Sequence, residues 1–105
     1  MYAWIIDTDH LTEGDAPEGT NLNAKGLTGP RQAPKHLIEA LEAGKGLQFK
    51  MYDDDGEKYY TGRGIADMDD QESEDFCYGP LGDFGAPNAG AVLIKWTNHP
   101  EWNCG

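Results

Sequence analysis

Between Leu47 and Ala66 the pattern of side chains leaves the backbone few options. In "LQFKMY", Leu47, Phe49 and Met51 fall on one side and Gln48 and Lys50 on the other. A period of two is that of a strand with one face turned inward. "DDDGE" follows, and its Asp55-Gly56 pair is a strong turn signal, because glycine takes positive φ without steric cost. "KYYTGRGIA" then reads as a returning strand, with Gly62 and Gly64 marking a bulge or a close approach of another group. The chain is therefore expected to build an antiparallel hairpin at its centre.

The other elements are placed around that hairpin. "YAWIID" is apolar on both faces, as an interior strand would be. From Thr8 to Pro34 the composition turns to Gly, Pro, Asn, Asp and Thr, which supply turns. Pro34, Leu37, Ile38 and Leu41 then form one apolar stripe at helical spacing, with Gly44 suited to the left-handed position that ends a helix. So short a helix cannot stand alone in water and must lie on the sheet. "YGPLGDFGAPNAG" is rich in turn residues and reads as loop. "AVLIKW" is apolar on both faces apart from Lys95 and reads as a second interior strand, and Glu101 to Asn103 as a short edge strand. The expected architecture is α+β: one domain over residues 1–105, a four- or five-stranded, mostly antiparallel sheet with one helix packed on it.

Charge narrows the functional classes. There are 19 Asp and Glu against 8 Lys and Arg, a net charge of −11. Such a chain repels nucleic acids and anionic membranes and favours cationic partners, including proteins that themselves hold nucleic acid. The carboxylates are concentrated in two places. Asp53, Asp54, Asp55 and Glu57 crowd the hairpin tip, and Asp67, Asp69, Asp70, Glu72, Glu74 and Asp75 lie within nine residues. That second run measures about 30 Å if extended and about 13 Å if helical. Its linear charge density is comparable to the one charge per ~1.7 Å of duplex DNA. If both clusters shared one side, they would form a continuous surface imitating a nucleic-acid backbone. Tyr52, Tyr59, Phe76 and Tyr78 flank the clusters and are the candidate apolar anchors, since affinity needs buried aromatic contacts as well as charge.

The pieces "YDDDGEKYYTGR", "PLGDFGAPNAG" and "GLTGPR" resemble a set of short acidic proteins of bacteria, phages and other mobile elements. The resemblance covers about half the chain and implies a small intracellular or phage-borne accessory protein. Inhibitors of host defence are a frequent category among small acidic phage proteins. It transfers no catalytic residue.

"DDDGE" is not a calcium loop, because Gly56 is fourth rather than sixth from Asp53 and the twelfth position is Gly64. Asp7 and Asp9 stand two apart at a strand end, a spacing that suits a Mg²⁺ pair and supports a third reading as a metal-dependent enzyme. Cys77, Cys104, His10, His36 and His99 sit in no recognised nucleophile or zinc pattern. "GLTGPR" before the helix could hold an anion on glycine backbone with help from Arg31 and Lys35, though it has no Walker spacing. "MYAWIIDTDH" has neither a basic start nor a long apolar run, so a cytoplasmic protein with reduced thiols is expected. The expectation is a non-enzymatic acidic binding protein without cofactor, meeting a basic protein surface. The alternative is a regulatory or housekeeping module whose acidity serves solubility alone.

Overall fold

The computed structural model describes residues 1–11, 24–67, 74–97 and 99–102. Five strands form one antiparallel sheet: β1 (Tyr2–Asp9), β2 (Thr28–Gly29), β3 (Leu47–Tyr52), β4 (Lys58–Ala66) and β5 (Leu93–Trp96). Their order is β2-β1-β4-β3-β5, so the hairpin β3–β4 lies in the middle and β1 is paired along almost the whole of β4. The α+β class is as expected. β5 is not interior, however. It pairs only with β3 and closes one edge, burying Ile94 and Trp96 while Lys95 faces solvent. Residues apolar on both sides do not require two neighbours when one side carries only a half-buried Leu93.

Helix α1 (Lys35–Glu42) covers one face of the sheet. Leu37 and Leu41 of the apolar stripe pack with Ala3 of β1, and Ile5, Ile38 and Ile65 close around them. Pro34 caps the helix start rather than opening its first turn, and its carbonyl accepts bonds from the N–H groups of Leu37 and Ile38. Gly44 has φ +92°, the left-handed stop the sequence suggested.

The other face carries a second helical layer that the glycines and prolines concealed. Helix α2 (Glu74–Pro80), a π-helical turn (Leu81–Gly85) and helix α3 (Ala86–Ala89) run on without a break. Phe76, Leu81, Phe84 and Ala89 lie against Trp4, Ile6, Phe49, Met51, Tyr60, Ile94 and Trp96, which is the main core. Glycine serves here for closeness, not for turning. A Cβ on Gly79 would stand 2.5 Å from the Tyr2 ring, and one on Gly85 2.5 Å from Met51 Sδ. Polar contacts help to pin the layer: Trp96 Nε1–H donates to the Cys77 carbonyl at 2.9 Å, and Asn88 Nδ2–H to the Tyr60 hydroxyl at 2.7 Å.

Of the expected last edge strand, Glu101 and Trp102 instead belong to a 3₁₀ turn, Pro100–Trp102, and Asn103 lies outside the described residues. It folds Trp102 back against Phe76 and Trp96, with ring centroids 6.0 Å from each. The apolar area gained there outweighs two or three ladder bonds at a solvent-facing edge.

Candidate functional site

The hairpin tip is organised by Asp53. Its Oδ1 accepts the backbone N–H groups of Asp55 (2.9 Å) and Glu57 (2.7 Å), and Asp53 N–H donates to the Glu57 carbonyl at 2.9 Å. Gly56, at φ +82°, completes the turn. One aspartate is thereby spent on local structure, and Asp54, Asp55 and Glu57 are left exposed. Carboxylate oxygens of Asp53, Asp54 and Asp55 lie within 4.8 Å of one another. Among the described residues none of the four makes an ion pair. Like charges so spaced repel by less than about 1 kcal/mol per pair in water, which the turn's hydrogen bonds can hold.

The second acidic run begins at the other end of the molecule. β4 carries the chain nine residues away from the tip before Asp67, about 30 Å at strand rise. Asp67 is tied down there: its N–H donates to the Met1 carbonyl, and its carboxylate meets the N-terminal ammonium at 3.5 Å and His36 Nε2 at 3.3 Å. The hydrogen bond from His36, followed by the terminal ammonium, holds its pKa below the ordinary aspartate value. Asp75 is exposed on α2 and close enough to Tyr2 to help raise its hydroxyl pKa. Asp69, Asp70 and Glu72 lie outside the described residues, and of Glu74 only the backbone is described, at the start of α2. The two clusters therefore do not converge where they are described. Among the described residues, Asp67 has counter-charges beside it, whereas the hairpin-tip carboxylates and Asp75 make no ion pair.

The four aromatic anchors divide in the same way. Phe76 is 1% exposed and stacked among Tyr2, Trp96 and Trp102, and Tyr59 is 7% exposed. Neither can touch a partner, because each supplies core area that the sheet needs. Burial, then the nearby carboxylates of Asp53, Glu57 and Asp54, push the Tyr59 hydroxyl pKa up. Tyr52 is half-buried at the hairpin tip with Lys95 Nζ 5.3 Å from its ring centroid, and Tyr78 is 49% exposed on α2.

Asp7 and Asp9, whose spacing suits a Mg²⁺ pair, are each engaged by protein donors. A bulge between Ile6 and Thr8 breaks the register of β1 at Asp7. Asp7 turns to Arg63, while Asp9 accepts the N–H groups of Leu11 (2.9 Å) and Ala24 (3.3 Å). Each carboxylate already has protein donors. The remaining candidates are dispersed: Cys77 is buried, His10 Nε2 meets Thr61 Oγ1 at 2.9 Å, and His99 stacks on Trp102 at 3.9 Å beside Glu101. Cys104 lies outside the described residues. Among the described residues no helix is long and apolar enough to cross a membrane.

Sequence reasoning passed over Asp83, which lies in a passage read as a loop. Its Oδ2 accepts both the Tyr2 hydroxyl (2.7 Å) and Trp4 Nε1–H (3.2 Å). A lone acid in "PLGDFG" gives no sign of that arrangement, since both donors come from a strand some eighty residues earlier. Comparison with protein-family models, with curated proteins and with solved structures returned no match to this chain.

Proposed function

We propose that the protein is a non-catalytic binding module that docks on a basic protein surface through the tip of the β3–β4 hairpin. The observation carrying this reading is the tip itself: four carboxylates on the turn that joins the two central strands, three of them converging within 4.8 Å and none in an ion pair with a described neighbour. A negative charge density of that kind attracts Lys- and Arg-rich surfaces and steers their approach, while Tyr52 at its base offers aromatic contact area. Proteins that hold nucleic acid present such surfaces. A nucleic-acid-handling complex of host defence is the class of partner that the sequence resemblance implies. Imitation of a whole nucleic-acid backbone is not part of the proposal, because it requires one continuous surface and the tip lies about 30 Å of strand from Asp67.

The test is affinity capture from a bacterial lysate at two salt concentrations, with the wild-type chain and with D54N/D55N/E57Q. Asp53 is kept because it builds the turn. Capture of a basic protein that is lost at high salt and lost with the variant supports the proposal; capture indifferent to both rejects it. A parallel variant, D69N/D70N/E72Q/E74Q, tests the second run separately. The competing reading, that acidity serves solubility alone, is favoured by the separation of the two clusters. It predicts no salt-sensitive partner for any of these proteins.

A further inference from the structure

The motif "GLTGPR" finds a place in the fold that the hairpin-tip proposal does not use. It forms β2 and the turn after it, and with the π-helical turn it borders an open, solvent-facing cleft of about 570 Å³ lined by Trp4, Thr28, Gly29, Pro30, Arg31, Gln32 and Asp83. That volume lies in the range of small-molecule sites.

Three features of the cleft belong together. First, Asp83 is a prepared acceptor. The Tyr2 and Trp4 donors both converge on Oδ2, which fixes the carboxylate, and Oδ1 receives no hydrogen bond from the described residues. Burial and the adjacent Asp83 raise the Tyr2 hydroxyl pKa further, so this donor persists at neutral pH. Second, Arg31 lines the same cleft, is exposed, and makes no hydrogen bond or ion pair among the described residues. An aspartate and an arginine thus face one cavity without neutralising each other. Third, the wall between them is closely packed. Gly29 lies against the indole of Trp4 so closely that a Cβ there would stand 2.3 Å from the ring.

A cleft holding one unneutralised acid and one unneutralised base suits a ligand carrying both charges. The ammonium of the ligand would donate to Asp83 Oδ1, and its carboxylate would accept from the Arg31 guanidinium, a geometry arginine serves well. We propose that this cleft binds a small zwitterion of the α-amino acid class, either free or as the paired termini of a short peptide.

The experiment is an NMR titration of the whole ¹⁵N-labelled protein at millimolar ligand, following the Trp4 indole N–H and the Gly29 amide. The probes are L-alanine, L-alanyl-L-alanine and N-acetyl-alanine methylamide, which has no charge. Saturable shifts with either zwitterion and none with the blocked compound support the proposal, and which zwitterion saturates tells free amino acid from peptide. D83N keeps an oxygen for Tyr2 and Trp4, and R31Q removes only an exposed charge. Each should weaken binding about tenfold or more, the loss of one charge-assisted contact. Unchanged thermal midpoints in both variants show that folding is intact. No saturation with either zwitterion, equal shifts from the blocked probe, or affinity unmoved in folded variants overturns the proposal.

Discussion

Arg63 grips Asp7 across neighbouring strands with two parallel bonds, Nε to Oδ2 at 2.8 Å and Nη2 to Oδ1 at 2.9 Å. The same guanidinium donates through Nη1 to the carbonyls of Leu41 (2.9 Å) and Lys45 (2.8 Å), at the C-terminal end of α1. One side chain therefore joins β4, the bulge in β1 and the helix end, where a cation also favours the helix dipole. The Asp7 hydrogen bond raises the Arg63 pKa further.

Replacing Arg63 by alanine should destabilise the protein by about 2 kcal/mol in urea denaturation. The figure is below that for a fully buried pair because the two side chains keep 21% and 33% of their exposure. Lysine should recover little, since a single ammonium cannot span both oxygens and two carbonyls. D7N should cost less than R63A, as it leaves Arg63 its carbonyl partners.

Gly64 tolerates no side chain. A Cβ there would stand 2.7 Å from the Trp96 ring and 3.0 Å from Phe76. G64A should cost roughly 3 kcal/mol or more, at the upper end of overpacking effects. G44A should cost about 1 kcal/mol, because only its positive φ resists and there is open space around it. Thermal midpoints of the two variants give the comparison directly.

The hairpin-tip variant D54N/D55N/E57Q should fold as the wild type does and gain slightly in stability at low salt, as mutual repulsion is relieved. D53N, in contrast, should lower stability by about 1 kcal/mol, since it weakens the acceptor that closes the turn. Circular dichroism melts at two salt concentrations separate the two effects.

Stability should fall as the solution is acidified below neutrality. Burial, then the Lys58 charge, lowers the His10 pKa below 6.5 in the folded protein. The unfolded chain then binds the proton first, so the contribution is present above pH 6.5 and is lost as pH drops through the folded value. H10Q keeps a hydrogen-bonding group near Thr61 and should flatten that part of a midpoint-against-pH curve. Asp67 behaves likewise in a lower window: its depressed pKa stabilises above the ordinary aspartate value and is lost on further acidification. D67N should remove that second decline.

Much of this arrangement is written in local sequence. The alternation around Asp55-Gly56 gives the β3–β4 hairpin, and the stripe from Pro34 to Leu41 gives the helix and the face it covers. The helical run from Glu74 to Ala89 is concealed because Gly79 and Gly85 look like turn residues. Their purpose is visible only when Tyr2 and Met51 are seen pressing on them. β5 misleads for a similar reason, since apolar residues on a strand report burial and not the number of neighbours. The distance from the hairpin tip to Asp67, by contrast, is readable: nine residues of strand lie between them and act as a ruler. Asp83 and Arg31 share a cleft through contacts between distant parts of the chain, and no spacing in the sequence encodes that.

The position of β1 beside β4 has a kinetic consequence. Tyr2 pairs with Ala66 and Ile6 with Gly62, so the most extensive strand contact joins residues more than fifty positions apart. The β3–β4 hairpin can close within microseconds, but the first strand can dock only after a long chain segment has been brought back to it. Refolding should be slow for a protein of this length, limited by the arrival of its own N-terminus.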